Sequence, residues 1–126
     1  MIPLPDEIAA AIAQIAADHE HGAAWLARAS ARILEDVCAR APSGETMRLV
    51  HDSARQLAAS RPSMAAVANT VARVWHAGAL ISASTAERLR AMGDEAGKLQ
   101  RRWDTAGPAI AAHAAPLLIG TLYTHS

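Results

Sequence analysis

Residues 54–75 read ARQLAASRPSMAAVANTVARVW, and the fold turns on how this stretch is parsed. Pro62 lacks an N–H and holds φ near the helical value, so it suits the first position of a helix. A helix opening there and closing near Gly78, a glycine of the kind that ends helices, places Met64, Val67, Val71, Val74 and Trp75 on one face at three- and four-residue spacing. Its amino end offers unpaired N–H groups and the positive end of the helix dipole, with Arg61 just outside them. Such an end suits an anion, phosphate above all.

Working outward, each flank repeats the helical period. Upstream, Met47, Val50, Ala54 and Leu57 predict a helix over 45–59 capped by Ser43, after a Pro42-Ser43-Gly44 turn. Before that, 22–40 predicts a helix burying Trp25, Leu26, Ala29, Ile33 and Val37. A first helix over 5–17 begins at Pro5, carries Asp6 and Glu7 in its first turn, and aligns Ile8, Ile12 and Ile15. Downstream, Ser84-Thr85-Ala86-Glu87 has the form of a capping box and opens a long helix lined by Leu89, Met92, Ala96, Leu99 and Trp103. Lys98, Arg101 and Arg102 form a solvated face near its end. A short sixth helix is predicted to open at Pro108.

The pattern then changes. LLIGTLY, 117–123, is a continuous apolar run of strand length. A lone buried strand leaves its backbone groups unpaired, and continuous apolar strands belong to parallel sheets covered on both faces. The expectation is therefore a mainly α architecture of about six helices over 1–116, followed over 117–126 by the first strand of a Rossmann-like α/β domain that the sequence does not contain.

Composition narrows the function classes. The 126 residues suffice for one domain, and with no Phe, three Trp and one Tyr the aromatic content favours closely packed helices over a β-sandwich. Lys+Arg and Asp+Glu both number 12, so the electrostatic footprint of a nucleic-acid binder is missing. The single Cys38 forms no internal disulfide and fits a reducing, cytoplasmic setting. No basic, apolar leader opens the chain, and 106–123, although free of Asp, Glu, Lys and Arg, is Ala-rich and broken by Pro and Gly, unlike a membrane span.

Upstream of the second helix lies Asp18-His19-Glu20-His21-Gly22-Ala23. Gly22 lets backbone approach closely, and protonated His21 supplies positive charge. The cluster lacks the His spacing of a zinc helix, no nucleophile elbow surrounds any Ser, and no glycine-rich loop follows a strand. The reading is thus without a metal, a cofactor or a catalytic residue.

Three places carry a resemblance. His21-Gly22-Ala23-Ala24 before Leu26-Ala27-Arg28-Ala29, then Leu57-Ala58-Ala59-Ser60-Arg61-Pro62-Ser63 with Asn69 beyond, and finally Leu122-Tyr123-Thr124-His125 stand in order along the chain. They resemble the Arg-Gly-Ala helix opening, the Arg-Pro-Thr helix and the first Rossmann strand of one family. It joins the regulatory alpha, beta and delta subunits of translation initiation factor 2B with methylthioribose-1-phosphate and ribose-1,5-bisphosphate isomerases. The resemblance implies that His21, Gly22, Ala23 and Arg61 contact a sugar phosphate or nucleotide monophosphate. It also implies that catalysis requires more than this stretch. His21 stands in place of an arginine and cannot make a bidentate guanidinium contact; Ser126 stands where the isomerases place a cysteine. Two functions follow as expectations: a phosphate-contacting helical half that is not catalytic alone, or a regulatory helical module that docks on a protein partner or on itself.

Overall fold

A computed structural model describes residues 4–118, with side chains over 4–104. Five helices succeed one another: α1 (Asp6–Ala17), α2 (Ala23–Cys38), α3 (Gly44–Ser60), α4 (Ala65–Ala79) and α5 (Thr85–Leu118). The mainly α class holds, and among the described residues there is no strand.

The inward faces follow the helical period. Ile8, Ile12 and Ile15 of α1 meet Leu49, Val50, Ala54 and Leu57 of α3, while Val67, Val71 and Val74 of α4 and Leu89, Met92, Ala96 and Leu99 of α5 close the core. α2 lies at the centre and packs against all four other helices. Its buried stripe is Leu26, Ala27, Ser30, Ala31, Leu34, Val37 and Cys38, one position round from the stripe expected through Trp25. Ala29 and Ile33 consequently sit at the flank, and Trp25 is 45% exposed. Small residues let α2 approach its neighbours on several sides. Ser30 pays no penalty for burial because its hydroxyl donates to the Leu26 carbonyl at 2.8 Å.

Two helix starts match the expectation in detail. The Ser43 hydroxyl accepts the Thr46 N–H at 3.1 Å, and the Ser84 hydroxyl accepts the Glu87 N–H at 3.2 Å while donating to its carboxylate at 3.0 Å.

The pivotal stretch parses differently. Pro62 does not open α4; it closes α3. A residue before proline is pushed out of the helical region, and Arg61 accordingly has φ −135° and ψ 72° as the residue that ends α3. The Met64 N–H returns to the Arg61 carbonyl at 2.9 Å, closing a tight turn, and α4 starts only at Ala65. α4 does close near Gly78, at Ala79, but the glycine is itself helical and is not what ends it. It lies buried inside α4, where an added Cβ would stand 2.3 Å from the Arg88 carbonyl oxygen of α5. No side chain fits between these antiparallel helices there.

The sixth helix does not exist as a separate element, since α5 runs on through Pro108 and Pro116 to Leu118. Proline's fixed φ is compatible with a helix; each one removes the N–H that would reach the carbonyl four residues earlier. Leu117 and Leu118 therefore end α5 instead of opening a strand, and the remainder of the expected strand, with Thr124, His125 and Ser126, lies outside the described residues.

At the carboxyl end of α2, Cys38 is 8% exposed and faces Gly93 of α5, where an added Cβ would come within 3.6 Å of it. Burial, assisted by the nearby Glu35 carboxylate, pushes its thiol up to about 12.

Candidate functional site

The candidate residues gather where α1 gives way to α2. Asp18 caps the carboxyl end of α1 and organises the connection. One carboxylate oxygen accepts the backbone N–H groups of Glu20 at 2.9 Å and His21 at 2.8 Å; the other meets His21 Nδ1 at 2.7 Å. The His21 side-chain bond, followed by the His21 backbone N–H, draws the Asp18 carboxyl down to about 2. On its far side the His21 ring stacks on Trp25, with centroids 3.6 Å apart and planes 11° from parallel. His21 is thereby held in one orientation at the surface.

Gly22 forms the cap position of α2, with φ −85° and ψ −178°, and among the described residues the start of that helix has no side-chain cap. These torsions are open to any residue. What glycine contributes at this point is the lack of a side chain over the end of the helix. Ala23 follows as the first helical residue, half-buried.

Arg61 arrives from the carboxyl end of α3, which packs against α1. Since it ends α3 instead of preceding α4, its guanidinium lies on the carboxyl end of α1. There Nη1 donates to the carbonyls of Ile15 and Ala16, at 3.5 Å each, and to that of Asp18. The negative end of the α1 dipole is complemented by a fixed cation. Nε and Nη2 donate to nothing among the described residues. The four candidates are thus brought to one end of the bundle: His21, Gly22 and Ala23 by the chain itself, and Arg61 through its hold on Asp18. Asn69 is elsewhere, on α4 beside α5.

Asp18 was not among the candidate residues singled out in the sequence, although an Asp between two helices is a turn-forming signal through its bond to the backbone two residues on, here the Glu20 N–H. Its charge matters chemically. It places a carboxylate directly beside His21 and next to the amino end of α2. Among the described residues no group of three His, Cys, Asp or Glu side chains is placed to hold a metal ion, and no helix is long and apolar enough to cross a membrane.

Comparison with known proteins yields no match: no family model, no curated protein and no solved structure resembles this chain closely enough to register.

Proposed function

We propose that the chain is the helical part of a cytoplasmic protein of the initiation factor 2B and sugar-phosphate isomerase kind, and that the α1–α2 junction receives the phosphate of a ribose phosphate or nucleotide monophosphate without performing chemistry on it. The observation that carries this reading is the half-used Arg61. Its Nη1 is spent on the α1 carbonyls, and its other donors remain open at a junction where α2 presents uncapped amides. A guanidinium anchored along one edge presents the other in a fixed orientation, which suits an oxyanion.

Titration of the full chain with ribose 5-phosphate, followed by amide NMR, tests this. Saturable shifts are expected at Gly22, Ala23 and Ala24, and they should vanish in Arg61→Ala. Arg61→Lys, which keeps the charge, guards against misreading a loss of fold. Shifts that persist in Arg61→Ala, or no shifts at these amides in the wild-type chain, would overturn the proposal.

A second reading, a regulatory module that docks on a protein partner or on itself, is favoured by the turn between α4 and α5. Leu80 there is 82% exposed and Ile81 38% exposed. Sedimentation of the chain with Leu80→Ser and Ile81→Ser separates the two. Association that survives both changes does not run through this turn.

A further inference from the structure

An open groove runs between α3 and α4, on the outer side of the bundle, and encloses about 220 Å³. Buried Ala54 and Val71 lie at its floor, and Ala58, Ala68 and Ala72 leave its walls low. His51, Arg55, Trp75 and His76 complete the lining, and no acid takes part among the described residues. A groove walled by alanines takes a branched apolar side chain from a neighbouring helix. Leu80 is such a side chain, 82% exposed at the end of the same helix α4. Its backbone is held in place, because Arg88 donates to the carbonyl on each side of it, through Nη2 to Ala79 at 2.7 Å and through Nε to Ile81 at 3.2 Å. An apolar side chain presented from a fixed backbone gives up little freedom on docking.

The groove and the leucine share one register. Ala68, Ala72, His76 and Leu80 recur every four residues and form a single ridge along α4, which Leu80 continues with φ −104° and ψ 0°. Laid antiparallel on a second copy of itself, about a two-fold axis between Ala72 and His76, this ridge sets small against large. Leu80 falls opposite Ala68 and His76 opposite Ala72, on both sides of the axis. Leu80 of each copy then enters the α3–α4 groove of the other. The ridge carries no Asp, Glu, Lys or Arg, so two copies meet along it without repulsion between fixed charges. From Ala68 to Leu80 it is about 18 Å long at about 1.5 Å per residue. A strip of that length across two helices covers roughly 350 Å² per copy, the size of a weak, reversible contact and too little for a permanent dimer.

We infer that α4 is a self-association surface, through which two copies of this chain form a weak symmetric dimer with Leu80 of each seated in the α3–α4 groove of the other. The inference rests on the second reading above, docking through the turn between α4 and α5, and adds the surface that receives the turn. It shares no residue with the α1–α2 junction.

Cysteine pairing across the axis tests the register. Full chains carrying Ala68→Cys and Leu80→Cys are oxidised separately and as a mixture, and the products are read by intact mass. Only the mixture should give a disulfide-linked heterodimer, because like positions stand roughly 18 Å apart across the axis and a disulfide needs Cα atoms within about 7 Å. Cys38 is buried and common to both variants, so oxidation of the wild-type chain supplies the background. Sedimentation equilibrium tests the groove. The wild-type chain should show a concentration-dependent monomer–dimer equilibrium, weakened about tenfold or more by Ala72→Gln, an exposed helical position, as for loss of a central contact. Unchanged helical circular dichroism shows that this variant is folded. The inference is overturned if the mixture cross-links no more than the separate variants, if Ala72→Gln associates as the wild-type chain does, or if the wild-type chain is monomeric at millimolar concentration. Association lost in Leu80→Ser but kept in Ala72→Gln would leave the docking turn standing and remove only this groove as its receiver.

Discussion

Arg61 and Arg88 do the same mechanical job at opposite places and differ in what they leave over. Each reaches from outside a helix to the carbonyls at its carboxyl end, Arg61 to α1 and Arg88 to α4. Arg88 divides the work, giving Nη2 to Ala79 at 2.7 Å and Nε to Ile81 at 3.2 Å. Arg61 concentrates it on Nη1. Among the described residues, Arg88 engages its Nε and Nη2 and leaves Nη1 over, whereas Arg61 engages Nη1 and leaves over Nε and Nη2, the edge that can make two parallel bonds to an oxyanion. A cation at a helix carboxyl end is an ordinary structural device; what sets Arg61 apart is which edge it leaves over.

Replacing each arginine by alanine breaks the comparison most directly. Both variants should lose stability, on the order of 1.5–3 kcal/mol each, as expected for charge-assisted bonds to carbonyls that would otherwise be left unpaired, measured by urea denaturation. Only Arg61→Ala should also lose the ribose 5-phosphate response; an equal loss in Arg88→Ala would show that the response tracks stability alone. Smaller effects belong to the helix starts. Ser43→Ala and Ser84→Ala should each cost about 1 kcal/mol, the usual worth of a side-chain cap. Gly22→Ser should gain only a few tenths of a kcal/mol by capping α2, and it should weaken phosphate binding by occupying the same amides. Gains in both stability and binding would break the link between the open helix end and the ligand.

Asp18 supplies the pH dependence. Its folded carboxyl titrates near 2, below the ordinary value of 3.8. Its contribution to stability is therefore complete above about pH 4 and is lost as pH falls towards 2. Asp18→Asn should flatten thermal stability across that window relative to the wild-type chain. It should also tighten phosphate binding at neutral pH by removing the nearby negative charge, which calorimetry would detect.

Much of this architecture was legible because periodicity and capping are local. Ile8, Ile12 and Ile15, the Ser43 cap and the Ser84–Glu87 box depend on residues within one or two turns, and the structure has them as read. The departures share a different origin. Pro62 has two local roles, opening a helix or ending one, and the choice was made by its effect on Arg61. Trp25 fell outside the buried stripe because four helices surround α2 and small residues won the inward positions. Gly78 resembled a terminator, but its purpose is set by Arg88 and Met92 on α5, ten or more residues away. The candidate site shows the same division. His21, Gly22 and Ala23 were contiguous and visible as a helix opening, whereas the route by which Arg61 reaches them crosses from α3 to α1 and leaves no trace in spacing.

Cys38 makes the bundle its own timekeeper. As the chain's single thiol, shut between α2 and α5 and held in the protonated form at neutral pH, it is closed to disulfide reagents until the carboxyl end of α2 lifts away. The pace at which such a reagent labels the unmodified protein therefore counts the openings of its central helix, with no reporter group to introduce.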